Sequence, residues 1–246
     1  MDTEKLLNNF KEYLLTSDIK GKIAKIVLFG SYAKKTNVSS SDIDILIFTL
    51  NGKGIERPLM DKAYTFMMDN NAPFEILISS IDSLFFQDYF IYNVTHYGKE
   101  VYSMEKEEIK REAMRDMIDL SQEYLEGAKE VFKRKRIRLA IDAAYNSAEL
   151  AAKALILSKQ DDLPGSHGGV ASLFGFLYVK TNEIAKETGH RLNIALRIRN
   201  EARYKPNALL TKENAQEVIT LAEDLIKIAF RKTTGIAKDA TIFNSR

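Results

Sequence analysis

Gly30-Ser31, ten intervening residues and then Asp42-x-Asp44 form the arrangement in this chain best suited to chemistry. It lies within residues 26–50, IVLFGSYAKKTNVSSSDIDILIFTL. Residues 26–29 and 43–48 are short β-branched or aromatic runs bounded by Gly, Asn or Ser, so each predicts a strand. Side chains alternate along a strand, which puts Asp42 and Asp44 on one face and Ile43, Ile45 and Ile47 on the other. Two neighbouring carboxylates repel each other unless a cation joins them. A hard divalent ion such as Mg²⁺ takes oxygen ligands and commonly keeps waters and substrate phosphates as well. Gly30 allows a sharp turn and close backbone approach, and Ser31 adds a hydroxyl to the N–H donors of that turn. Lys34 and Lys35 bring positive charge. A phosphate cradle beside a carboxylate pair predicts nucleotidyl or phosphoryl transfer, in which catalysis is mostly positioning and charge neutralisation.

The pattern resembles the Gly-Ser-x10-Asp-x-Asp signature of the minimal nucleotidyltransferases of the DNA polymerase β superfamily, and Tyr32-Ala33-Lys34 fits the small residue and base that follow it there. Spacing, residue types and flanking strands agree together, whereas an isolated Asp-x-Asp would signify only solvated charge. The resemblance implies Mg²⁺ on Asp42 and Asp44. It also implies a nucleoside triphosphate, ATP foremost, with its phosphates at Gly30, Ser31 and Lys34. A third metal-site carboxylate is expected on the next strand, and Glu75 in Phe74-Glu75-Ile76-Leu77-Ile78 stands where it belongs, although Asp is common there. From the residues alone Glu75 is either an edge-strand charge turned to water or an acid that shares the metal and takes a proton from an attacking hydroxyl.

A chain of 246 residues can bury one large core or two modest ones. Its 45% apolar and 28% charged content is that of a globular protein. The absence of Cys excludes disulfides, thiolate metal sites and a cysteine nucleophile. No signal-like segment and no membrane-length apolar run is present, so a cytoplasmic protein away from membranes is expected. Residues 1–103 carry 11 Lys/Arg against 13 Asp/Glu, and residues 104–246 carry 25 against 21. The basic excess is bunched in Lys133-Arg134-Lys135-Arg136 and Arg138, which reads as a solvated helix face or turn ahead of an RNA-binding patch.

Apolar periodicity predicts a helix near 3–15, then strands at 23–29 and 42–50. A helix near 56–70 and a strand at 74–78 follow. Phe85, Phe86, Tyr89, Phe90, Tyr92 and Tyr97 recur at helical spacing in 81–97, a stripe expected to be core. Gly98 is a helix stop, and residues 98–102 resemble the segment that closes minimal nucleotidyltransferases. From residue 104 helical periodicity takes over, predicting helices near 105–133, 137–159, 169–187, 191–203 and 212–232 with a loop at 161–169. Such an order predicts an antiparallel bundle.

Three segments of this half are similar to the HEPN family: Ala143 to Ala154, Ser166-His167-Gly168-Gly169-Val170 with Leu173-Phe174, and Arg199-Asn200-Glu201-Ala202-Arg203-Tyr204. That resemblance implies a helical domain that commonly dimerises, with toxin–antitoxin pairing to a nucleotidyltransferase as a recurring context. Many HEPN domains cleave RNA through Arg-x4-His, but here Arg199-x4 leads to Tyr204, and a tyrosine with an ordinary pKa of about 10 is a poor base near neutrality. Pro206 occupies the place of the tyrosine that such nucleotidyltransferases can modify. Arg199, Asn200 and Tyr204 either line a polar groove or tie helices together. His96, in the aromatic segment, reads as structural, His167 as part of a cap or turn, and His190 after Gly189 as a helix start.

The whole therefore predicts an α+β nucleotidyltransferase domain with a mixed sheet over 1–103 and an all-α HEPN bundle over 104–246. The expected reaction moves a nucleoside monophosphate to an acceptor hydroxyl, with Asp42, Asp44 and Glu75 as catalytic metal-site acids. The helical half would form a homodimer, with Leu139, Ala143, Ala144, Leu150 and Leu155 among the apolar residues offered, and would bind nucleotide or present the acceptor. RNA is a further candidate partner. Two other functions fit the signature: a small-molecule nucleotidyltransferase of the aminoglycoside type, and a nucleotide-binding regulatory module without turnover.

Overall fold

Leu6, Leu7, Phe10 and Leu14 fall on one face of α1 (Thr3–Leu15), and all four are buried. The computed structural model describes residues 3–38, 41–50, 54–85 and 88–233. After α1 come β1 (Ile23–Leu28), α2 (Gly30–Lys34), β2 (Ile43–Thr49), α3 (Glu56–Asn70) and β3 (Phe74–Ser80). A 3-10 turn (Ile81–Leu84), α4 (Tyr89–Tyr97) and β4 (Lys99–Ser103) follow. The strands make one mixed sheet in the order β3-β2-β1-β4. β1 runs antiparallel to β2 and β4, while β2 and β3 are parallel, as the crossover helix α3 between them requires. Ile43, Ile45 and Ile47 point into the layer of α1 and α3, where Phe10 meets Phe66 and Phe74 with ring centres 5.1 and 5.0 Å apart. Each such fully buried side chain stabilises the fold by roughly 1.5–3 kcal/mol. Asp44 consequently projects from the opposite face.

The chain divides into two compact units, Met1–Ala113 and Met114–Arg246, and α5 (Lys106–Lys133) runs through the division. The second unit continues with α6 (Ile137–Leu157), α7 (His167–Phe174), α8 (Lys186–Tyr204) and α9 (Lys212–Thr233). α6 is its axis. Ala140, Ala144, Ala148, Ala151 and Ala152 are wholly buried, and their small side chains let α7, α8 and α9 pack against this helix. Ser121 of α5 and Ser147 of α6 each donate to the other's backbone carbonyl at 2.7 Å, which satisfies two buried hydroxyls reciprocally. No helix among the described residues is long and apolar enough to cross a membrane.

Four expectations are corrected. The aromatic segment is not core: Phe85 is buried, but Tyr89, Phe90, Tyr92 and Tyr97 of α4 are exposed, and His96 stacks on Tyr92 at the surface. Only the aliphatic pair Ile91 and Val94 faces inward from α4; Phe86 lies outside the described residues. The helix expected over 169–187 ends at Phe174 and passes into a π turn (Gly175–Val179), with Asn182 left-handed at φ 58°. His190 does not begin a helix. It lies inside α8, because Gly189 marks a close approach to Val179 rather than a break; a Cβ there would sit 2.8 Å from Val179 Cγ2. Finally, Ala144 and Leu155 are fully buried within the unit and have no surface to offer a partner, whereas Leu139 is exposed.

Candidate active site

β1 ends at Leu28, and the Phe29 amide donates to the Asp44 carbonyl at 2.9 Å, which pins the following turn to β2. Gly30 then adopts φ +66°, a left-handed conformation that side chains strain. A Cβ on Gly30 would overlap Asp44 Oδ2. Glycine is thus required twice, by the dihedral and by the carboxylate seated against its backbone. From Gly30 the chain coils into the short helix α2, whose first-turn amides have no acceptor within the helix and are available to anionic oxygens. Lys35 ends the turn with φ 57°, and the Thr36 amide donates to the Ser31 carbonyl at 2.9 Å. Ser31 is half-buried and Lys34 is exposed.

Asp42 precedes β2 and is exposed, and Asp44 on β2 is half-buried. Asp44 lies opposite Glu75 in the parallel register of β2 and β3, so the two acids project from the same face of the sheet. Glu75 is itself exposed. Among the described residues no three acidic or histidine side chains converge as a complete metal cage. The donor set is a pair of carboxylates spaced two apart, Asp44 on β2 and Asp42 just ahead of it, beside a turn whose first amides have no acceptor within the helix. That set suits an ion that fills its remaining positions with water and phosphate.

In the second unit the residues of the Arg199 segment are engaged internally. Arg199 is 3% exposed; its Nε donates to Asp142 of α6 at 3.2 Å and its Nη1 to Asn200 at 3.2 Å. Its guanidinium lies 5.7 Å from the ring centre of Tyr145 and 5.9 Å from that of Tyr204. Tyr204 itself is exposed. Arg138, expected on a solvated face, instead donates to the carbonyls of Ala202, Lys205 and Pro206 and caps the end of α8; Lys133 to Arg136 are exposed as expected. Beside these, buried Glu149 accepts from His167 Nδ1 at 2.6 Å and pairs with Lys153 at 3.2 Å. Burial pushes the Tyr145 hydroxyl well above the usual phenol range, with the Glu149 charge adding to the effect and Arg199 opposing it. The sequence reading did not connect Glu149 with His167. The signal was there in Asp142, Tyr145, Glu149 and Lys153, a polar ladder at helical spacing on an otherwise alanine-rich helix.

Comparison with known proteins agrees with both halves. Residues 8–107 match the family "Polymerase beta, Nucleotidyltransferase", and residues 114–233 match the HEPN domain. Over 125 residues, 50% of this chain and 92% of the relative, the chain is 33% identical to putative toxin MJ0605 of Methanocaldococcus jannaschii. It is also 49% identical over 47 residues to putative protein adenylyltransferase MJ0604 of the same organism, a match covering 19% of this chain and 46% of that protein. The structure of spectinomycin adenyltransferase AAD(9) from Enterococcus faecialis overlays on 90% of this chain and 98% of its own at 15% identity and a TM-score of 0.31, a likeness that bears on nothing further. The chain belongs to the polymerase β superfamily nucleotidyltransferases in its first part and to the HEPN family in its second.

Proposed function

We propose that the first unit transfers a nucleoside monophosphate, AMP from ATP foremost, to an acceptor hydroxyl, with release of pyrophosphate. The observation that carries this reading is the seat of Asp44 against Gly30, in register with Glu75 and beside the open amides of α2. Asp42 and Asp44 would hold Mg²⁺, which when bound supplies neutralisation of the triphosphate charge. The amides of Gly30 and Ser31, the Ser31 hydroxyl and the Lys34 ammonium would bind the phosphate oxygens and orient the α-phosphorus. Glu75 completes the carboxylate set and takes the proton from the attacking hydroxyl. The adenylyltransferase relative supports ATP as donor, and the toxin relative supports a toxin–antitoxin context for the pairing with a HEPN unit. In that unit Arg199 ties α8 to α6, and the roles of the helical unit are proposed to be dimerisation and presentation of the acceptor rather than metal-independent RNA cleavage.

The test is incubation with Mg²⁺ and each labelled nucleoside triphosphate, following both pyrophosphate release and the destination of the label. ATP is expected to serve best, and Asp44→Asn to abolish release. Pyrophosphate release that persists in Asp44→Asn and Asp42→Asn alike would refute the site.

A further inference from the structure

We propose that Phe90 of α4, backed by Phe29, is the platform on which the nucleobase of the donor nucleotide stacks, and that it gives the site a preference for purines over pyrimidines. This deepens the nucleotidyl-transfer reading above and rests on it. The starting observation is that the aromatic stripe does not become core: Tyr89, Phe90, Tyr92 and Tyr97 are exposed, Phe90 at 45%. Large apolar side chains gathered on a surface mark a contact with something else, and departures from the sequence pattern gather at functional sites. The packing of α4 decides which of these rings stands at the candidate site.

Val27 lies opposite Leu46 in the antiparallel register, and Leu46 is two residues on from Asp44, so Val27 shares the face from which Asp44 projects. Phe29, two residues further along and still extended at φ −134°, shares it too. α4 is packed on that face. A Cβ on Gly98 would sit 2.6 Å from Val27 Cγ1 and 2.8 Å from the Leu28 carbonyl oxygen, which sets the end of the helix against the end of β1. At the other end Asp88 accepts from the Ile91 amide at 2.9 Å and fixes the first turn, with Ile91 and Val94 buried beneath it. Phe90 is thereby brought onto Phe29, with ring centres 5.8 Å apart and ring planes at 88°. Phe29 directly precedes Gly30, so the pair forms a wall adjoining the turn proposed to hold the phosphates. An edge-to-face pair engages one ring face only. Phe29 is half-buried, so the accessible ring surface is mainly that of Phe90. The ribose carries a base away from its α-phosphate by a reach comparable with the step from Phe29 to Phe90. Tyr92 lies about 200° around the helix from Phe90 and is stacked on His96 at 5.3 Å, so it belongs to a different flank. Stacking tolerates whatever the base edge carries, because every base has a π face, and it grows with the area of that face. The platform therefore separates purines from pyrimidines and leaves the choice between ATP and GTP to groups at the base edge.

The experiment titrates the full chain, with Mg²⁺, against ATP, GTP, CTP, UTP and inorganic tripolyphosphate by calorimetry. It also follows the fluorescence of 2-aminopurine riboside triphosphate, which stacking quenches. Phe90→Ala removes the ring. Phe90→Leu keeps apolar volume against Phe29 and removes only the flat face, which covers the case in which Phe90→Ala fails to fold. Both are expected to weaken ATP and GTP about tenfold, toward the lower end of what base stacking contributes, and to leave tripolyphosphate unchanged. They should also bring purine and pyrimidine affinities together and relieve the quenching, while Phe90→Tyr and Tyr92→Ala behave as the wild type. Unchanged ATP affinity and quenching in Phe90→Leu would overturn the platform. An equal loss of ATP and tripolyphosphate would also overturn it, by making Phe90 a support of the turn. Wild-type nucleotide binding persists in both cases, so the transfer reading would stand. A wild-type chain that binds neither ATP nor tripolyphosphate with Mg²⁺ would overturn the transfer reading and the platform together.

Discussion

The acids of the first unit and the charges of the second are alike in kind and opposite in circumstance. Asp42, Asp44 and Glu75 sit at half-buried or exposed positions around an open turn, and none of them has an ion pair or side-chain hydrogen bond among the described residues. Arg199, Asp142, Glu149, His167 and Arg138 are joined to one another or to helix ends. A charge left without a protein partner is available to a ligand, and its removal costs the fold little. A charge buried in a tie orients helices, and its removal leaves a partner stranded in low dielectric. The same residue types therefore serve binding in one region and architecture in the other.

Substitutions should separate the two regions cleanly. Asp44→Asn or Asp42→Asn is expected to lower nucleotide transfer about a thousandfold, the scale of lost charge stabilisation, with an unchanged melting temperature. Gly30→Ala should match that loss, because its Cβ displaces the Asp44 carboxylate, and should also lower the melting temperature. A melting temperature that fell as far in Asp44→Asn as in Gly30→Ala would erase the contrast. Glu75→Gln should reduce turnover about a hundredfold while sparing ATP binding, since a base acts on the chemical step; parallel changes in both would make Glu75 a binding group.

In the second unit Arg199→Ala is expected to destabilise the fold by roughly 2–3 kcal/mol, the scale for hydrogen bonds to a charged group. Nucleotide transfer at saturating ATP should stay at the wild-type rate. A stable Arg199→Ala protein would show that the tie is dispensable and return the residue to the ligand-binding reading. For the same reason no RNA cleavage is expected in chelator, and Tyr204→His should not create it, because the guanidinium it would need is held on Asp142. Cleavage in chelator that is lost in Arg199→Ala would reverse that assignment.

The smallest effect concerns pH. Lys159 and then Lys232 hold the Glu183 carboxyl down to about 2 from its ordinary 4.5. A depressed acid contributes stability that is present above its unfolded value and lost as pH falls through the folded one. The melting temperature should therefore decline between about pH 4.5 and 2, and Glu183→Gln should flatten part of that decline. An unchanged slope in the variant would show that the two lysines hold nothing.

Much of this was determined by local order in the chain. The ten-residue spacing from Gly30-Ser31 to Asp42-x-Asp44 and the alternation of Ile43, Ile45 and Ile47 fix which side chains share a face, because a strand's period is set by backbone stereochemistry alone. The helical half was legible for the same reason, although the loop expected over 161–169 gives way to α7 already at His167. The tertiary structure decided what depends on residues meeting from afar. Only the register of β3 on β2 sets Glu75 beside Asp44, and only the packing of α6 against α7 and α8 pairs Glu149 with His167 and engages Arg199 with Asp142. It also decided that α4 turns its rings outward and that Gly189 marks a contact inside α8 rather than the break before a helix start. Periodicity tells which residues lie together on an element, but what covers that element is set by neighbours that local sequence does not name.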